Sequence, residues 1–219
     1  MAEPTEVAEP TEIEVKLGVT RPQLVRRLIT EADPRRLAGF EAAGAPHLVA
    51  IEDRYIDTDP FEGLLAFASM RARLRVAVRS VVLTVKRPGT EMLGVTTRVE
   101  LEGPATRSLD PRTWPDSAAR AALLAATGGA QLVEIARLRQ RRLTRLLRRG
   151  ATTVEVSLDA LAAMGGREVV GRRHELEAEL VEGDPVDLGE LAEALQRVDG
   201  IGPALGSKLR FTLEAVLLR

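Results

Sequence analysis

Alternation constrains this chain more than any other feature. In stretch after stretch a charged residue follows an apolar one with period two, and the charges in a given stretch are mostly of one sign. Residues 11–19, TEIEVKLGV, send Ile13, Val15 and Leu17 to one face of a strand and Glu12, Glu14 and Lys16 to the other. The same opposition to an apolar face holds for Arg71, Arg73 and Arg75, for Lys86, for Arg98, Glu100 and Glu102, and for Arg137, Arg139 and Arg141. It holds again for Glu155 and Asp159 and for Glu175, Glu177 and Glu179. A sheet with one core turns its polar face to water, which accounts for any single strand. It does not account for segregation by sign, because solubilising surfaces interleave acids and bases. An inverted barrel does: apolar faces pack outward against helices, and charged faces line an internal tunnel. Buried like charges are unfavourable by several kcal/mol per uncompensated ion, so such a tunnel calls for anionic ligands, water and metal ions.

The order of elements supports that shape. The repeated AEPTEV and AEPTEI at 2–7 and 8–13 make residues 1–10 an acidic, proline-bearing tail, leaving 11–219 as one domain. Two short helices are expected after the first strand, one capped by Thr20 and one running from Asp33 to a glycine stop. HLVAIEDRYIDT reads as a strand, and LLAFASMRARLRVAV and VVLTVKRPG as a further pair. VTTRVELEGP is another strand, followed by a helix capped by Asp116 and ended by glycines. LVEIARLRQRRLTRLL fits a basic amphipathic helix or a strand. The period-two arginines and the following ATTVEVSLDAL favour a strand hairpin. RRHELEAELV alternates strictly and is taken as a strand against its helical propensity. Two C-terminal helices flank a Gly-rich turn. About eight strands with helices between and after them make an α+β chain built on a closed antiparallel barrel, its helices packed on the outside.

Composition narrows the chemistry. There is no cysteine, which removes disulfides, thiolate catalysis and cysteine-ligated zinc, and only His47 and His174 are available for histidine-based triads or metal sites. A formal net charge of −1 disfavours a general nucleic-acid binder, though not a local basic groove. The acidic N-terminus lacks an apolar signal core and no apolar run reaches membrane-spanning length, so a cytoplasmic protein without a membrane partner is expected. Of 31 basic residues only Lys16, Lys86 and Lys208 are lysines. Arginines and lysines on one wall suit phosphate oxygens, whereas carboxylates without His or Cys select hard divalent cations such as Mg²⁺ or Mn²⁺. Polyphosphate with metal satisfies both walls. VDGIGPALGSKL, at 198–209, has the look of a helix-hairpin-helix turn for DNA, but as a single copy it is better taken as a Gly-Pro turn between helices. No Walker A motif is present.

The residues then carry a resemblance. Glu12-x-Glu14-x-Lys16, YIDT at 55–58, ARLR at 72–75, LTVKRPG at 83–89, TRVELEG at 97–103, VSLD at 156–159, HELEAEL at 174–180 and SKL at 207–209 together resemble the CYTH domain of the triphosphate tunnel metalloenzymes. The match spans about residues 11–210, and all three lysines fall on lysine positions of that family. The resemblance implies an eight-stranded antiparallel tunnel, a triphosphate or polyphosphate substrate, and metal-dependent hydrolysis of inorganic or organic triphosphates. Class IV type adenylate cyclases share the superfamily, so a cyclase is an alternative, as is a non-catalytic polyphosphate or nucleotide module. No helical CHAD domain follows, which fits a stand-alone member; a homodimer is left open. Glu12, Glu14, Asp159, Glu175 and Glu177 are the expected ligands of one or two Mg²⁺ or Mn²⁺ ions. Arg73, Arg75, Lys86, Arg98 and Lys208 are expected on phosphate oxygens, with Lys16 shared between carboxylates and phosphate. Catalytic roles fall to Lys16, Arg73, Lys86 and Glu100, the last as an orienting group. In the 137–142 run, period two selects Arg139 and Arg141, while the family arginine fits Arg142 equally. Tyr55 and Asp57 are read as strand-end structural residues.

Overall fold

The structure is a computed structural model, and it describes residues 9–92, 94–203 and 206–218; the expected tail lies outside them except for Glu9 and Pro10. Eight strands close into an antiparallel ring: β1 (Thr11–Val19), β3 (His47–Asp57), β4 (Arg71–Val76), β5 (Val81–Met92), β6 (Val95–Pro104), β7 (Val133–Arg149), β8 (Thr152–Gly165) and β9 (Glu168–Glu182). Their order around the ring is β1-β6-β5-β4-β3-β7-β8-β9, and β9 pairs back onto β1. Two short strands extend it, β2 (Glu41–Ala42) beside β7 and β10 (Ile201–Pro203) beside β1. Closure removes the open edges that a sheet otherwise leaves unpaired.

The outward face of the ring is greasy. Val15, Leu17, Leu143, Val156, Leu176 and Ala178 pack under α1 (Pro22–Glu31) and α4 (Pro185–Gln196), together with the fully buried Phe40. Ile56, Leu74, Leu83, Val85 and Leu101 form a second outer core under α2 (Leu64–Phe67) and α3 (Ala118–Thr127), with Trp114. Each fully buried Leu, Ile or Phe contributes about 1.5–3 kcal/mol, so most of the hydrophobic stabilisation of this barrel lies outside it. The last helix, α5 (Lys208–Leu217), takes another position. Leu209, Phe211 and Leu213 pack with Tyr55, Ala136, Leu138 and Leu161. On their strands these partners share parity with Asp53, Gln140 and Asp159, so α5 covers lumen-side residues and stops one end of the tunnel.

Several local expectations are corrected. Arg21, not Thr20, is the N-cap of α1, because Thr20 is held to Gly200 through both its amide and its hydroxyl. Asp33 caps only a three-residue 3₁₀ turn at 34–36, because Ala38 and Gly39 adopt positive φ and turn the chain toward β2. The stretch taken as one strand from Leu64 begins as a helical turn, because the Asp57 carboxylate accepts from the amides of Leu65 at 3.0 Å and Ala66 at 2.9 Å. Ser117 rather than Asp116 caps α3 through the Arg120 amide, leaving Asp116 paired with the Arg120 guanidinium. A cap needs its oxygen over the first free amides, and sequence position alone left two candidates side by side.

Candidate functional site

The charged faces enclose a cavity of about 370 Å³, lined by residues from every strand of the ring except β7's outward positions and by the start of α5. One wall is cationic. Arg71, Arg73 and Arg75 come from β4 and Lys86 from β5; the neighbouring β6 adds Arg98 and Glu100, β1 adds Glu12 and Lys16, and Glu155, Glu177 and Glu179 come from β8 and β9 on the far side of the ring. A second recess of about 500 Å³ shares Lys16, Arg71, Lys86 and Arg98 and runs out beneath the β5–β6 hairpin at Arg87, Pro88 and Gly89.

Within the tunnel nearly every charge has found an opposite. Lys86 Nζ lies 2.8 Å from Glu12 Oε1 and 2.6 Å from Glu100 Oε2. Arg98 reaches Glu12 at 2.7 Å and also bonds Glu14. Lys16 bonds Glu14 and stands 3.6 Å from Glu177. Arg142 makes a two-pronged contact with Asp159, at 2.8 and 2.7 Å, and reaches Glu177 at 2.5 Å. Lys208, at the first turn of α5, bonds Asp159 and lies 3.0 Å from Glu177. Planar fork-to-carboxylate pairs of this kind are the strong ones, and they hold side chains in one geometry.

A triad anchors the arginine wall. Asp53, with no exposed surface, accepts from Arg75 Nε at 3.0 Å, Arg73 Nη1 at 3.2 Å and Gln140 Nε2 at 2.6 Å. Burial by itself would raise the Asp53 carboxyl, but the Arg73 and Arg75 guanidiniums together hold it well below the usual carboxylate range. Next to it, burial pushes the Tyr55 phenol up to about 12, so it stays protonated. Burial likewise opposes the charged form of Glu177, yet Lys208, Lys16 and Arg142 drive its carboxyl well down. Lys86 moves down through burial and the neighbouring Arg73 charge. Glu175 moves up through burial.

The carboxylates are in excess on one side. Glu14 of β1, Glu179 of β9 and Glu155 of β8 stand opposite one another in a single cross-strand row, an arrangement that repels unless a cation joins it. Burial, with the Glu12, Glu100 and Glu14 charges, pushes Glu179 up to about 7. Among the described residues no three carboxylates or imidazoles already converge on one point, because most are turned onto guanidinium or ammonium groups. The donor set is nonetheless all oxygen and locally over-negative, which fits a hard divalent cation.

Of the residues expected from the sequence, Glu12, Lys16, Arg73, Arg75, Lys86, Arg98, Glu100, Glu177 and Lys208 line the cavity, with Glu14 buried behind them. Asp159 and Glu175 are buried and do not line the cavity; Arg142 and Lys208 contact Asp159, and Arg173 contacts Glu175. Arg139 and Arg141 require correction. They point to the outside of the ring, and the Arg139 side chain is 58% exposed against 13% for Arg142. Arg142 has the parity of Gln140 and faces the tunnel; the run Arg137, Arg139, Arg141 obeys period two on the wrong face. Asp53 and Gln140 were missed because Glu52-Asp53-Arg54 is charged throughout and hides the alternation. The inward Tyr55 two residues later was the available signal. Glu155 and Glu179, members of the same alternating rows, also line the cavity.

Comparison with known proteins agrees with this geometry. No curated protein matches the sequence. Among solved structures, the adenylyl cyclase candidate HpAC1 from Hippeastrum, described as having a dominant triphosphatase activity, superposes with a TM-score of 0.65 at 20% identity, covering 93% of this chain and 95% of its own. An adenylate cyclase candidate from Bacillus halodurans gives 0.59 at 17% identity, over 91% of this chain and 97% of its own. The PH1819 protein of Pyrococcus horikoshii gives 0.51 at 20%, over 92% and 98%. These similarities establish the fold, and the CYTH domain model matches residues 10–210. A ring of eight strands, greasy outside and ionic within, together with that match, makes this chain a member of the CYTH domain family.

Proposed function

We propose that this protein hydrolyses the terminal phosphoanhydride of a triphosphate inside the tunnel, releasing orthophosphate and leaving a diphosphate. One observation carries the reading: cations and carboxylates line one cavity of about 370 Å³ inside the ring, where a polyanion and a counter-cation could replace the present pairs. Arg73, Arg75, Lys86 and Arg142 would take phosphate oxygens, each exchanging part of a carboxylate contact for an anionic oxygen. Asp53 and Gln140 fix the arginine forks beforehand, so little reorganisation accompanies binding. Lys16 and Lys208 approach from opposite sides of Glu177 and would offset charge that builds on the transferred group. Glu12, Glu14, Glu177 and Glu179 are the residues that would hold a divalent cation. When bound, Mg²⁺ or Mn²⁺ would neutralise charge between phosphate oxygens and carboxylates and lower the cost of water attack.

The test is phosphate release from tripolyphosphate, thiamine triphosphate and ATP with each metal. Hydrolysis is expected to fall at least about 100-fold in Glu14→Ala and Arg142→Ala, and to change less than about twofold in Arg139→Ala, whose side chain is outside the ring. Circular dichroism would confirm folding. A cyclic nucleotide from ATP would replace this reading with a cyclase, and saturable binding without turnover would replace it with a binding module.

A further inference from the structure

The ring carries a second charged surface on its outside. Helices cover two stretches of the outer face, but over β3, β7, β8 and β9 a third stretch is bare among the described residues, forming a recess of about 570 Å³ separate from the tunnel cavity. Strand register gives its plan. Arg139 of β7 stands opposite Ala162 of β8, which stands opposite Arg172 of β9; one step along, Arg141 stands opposite Ala160, which stands opposite His174. The result is a trough along β8 with an alanine floor and arginines on both sides; beyond β7 the recess runs on over Ala50, Ile51 and Glu52 of β3 and over residues 76–78, and Arg107 also lines it. Arg107, Arg141 and Arg172 are exposed and have no carboxylate within ion-pair distance among the described residues, while Arg139 contacts Glu52 at 3.0 Å. Such a concentration of unpaired guanidiniums on a chain of net charge −1 is local and one-sided.

We propose that this trough docks an acidic polypeptide segment in extended conformation, an interaction separate from the tunnel chemistry. Strand geometry favours that occupant. Walls two strands apart are about 10 Å from each other, the room one extended chain needs, and alternate residues of that chain repeat at about 6.8 Å, the interval from Arg139 to Arg141. The alanine floor leaves space for the downward side chains, whose carboxylates reach the guanidiniums on either wall. A single-stranded nucleic acid would match the charge, but no Phe, Tyr or Trp of the described residues lines the trough to stack its bases.

Fluorescence anisotropy with a labelled peptide of alternating glutamate and alanine tests the proposal on the full chain. Binding is expected at low salt and should weaken as salt rises. It should fall by about tenfold or more in the double variant Arg141→Glu/Arg172→Glu and measurably in Arg107→Glu. The tunnel variant Arg73→Ala should bind as the parent does. Equal affinity in the parent and the double variant would overturn the idea, as would loss confined to Arg73→Ala or equal binding of the lysine-alanine counterpart. Tighter binding of a single-stranded oligonucleotide with the same variant sensitivity would reassign the trough to nucleic acid.

Discussion

Asp53 shows how one residue sets the behaviour of a wall. It has no exposed surface, it touches three donors, and its charge is what keeps Arg73 and Arg75 side by side despite their mutual repulsion. Its carboxyl is held below the ordinary value of 3.8, so the sign of its pH effect is fixed. The stabilisation is fully present above 3.8 and is lost as the pH falls from there toward the folded-state value. Asp53→Asn lacks that term. Its melting temperature should lie below that of the parent near neutrality, by roughly 3 kcal/mol of stability for a broken buried pair, and should decline less steeply below about pH 4. Thermal melts of both proteins across that range check this; parallel curves would assign the acid sensitivity to other groups.

Elements show where the sequence was legible and where it was not. β1, β6 and β9 were plain because strict alternation of charge and grease admits one register, and a slip by one residue would bury every charge in the outer core. β9 had helical propensity, and alternation overrode it. β7 was assigned correctly as a strand and read from the wrong face in its centre, since Arg141 and Arg142 are adjacent and both faces of the strand carry arginine. The pairing of α5 with lumen-side residues was illegible, because nothing local in SKLRFTLEAVL states which side of a barrel its grease will meet. α2 was hidden for another reason: its turn forms because the Asp57 carboxylate, at the end of β3, receives the amides of Leu65 and Ala66. That arrangement depends on Gly63, where a Cβ would fall 2.1 Å from the Asp57 carboxyl carbon. Gly63→Ala should therefore destabilise by roughly 2 kcal/mol, lowering the melting temperature by roughly 4–8 °C, as calorimetry would measure. An unchanged melt would mean that the α2 turn moves away at little cost.

At the scale of the whole molecule, grease and charge have exchanged their usual places, and the apolar stability of the ring does not depend on what fills it. Helices hold the outer cores, so an occupied tunnel should add stability to a fold that is already formed. With tripolyphosphate and Mg²⁺ at about one hundred times the dissociation constant, binding linkage gives about 2.7 kcal/mol. The melting temperature should then rise by roughly 5–10 °C, as differential scanning fluorimetry would read. Removing the metal with a chelator should abolish that rise while leaving the far-ultraviolet spectrum intact. A spectrum that collapsed on chelation would make the metal part of the scaffold.

The ring closes through its first strand. β1 precedes both of its long neighbours, β6 and β9, along the chain, the second of them ending at Glu182. A chain emerging from the ribosome must keep Glu12, Glu14 and Lys16 waiting with one edge unpaired until β9 has been made. A chain cut short before β9 would thus leave the ring open at an adhesive edge, so the tunnel exists only once the strand ending at Glu182 is in place.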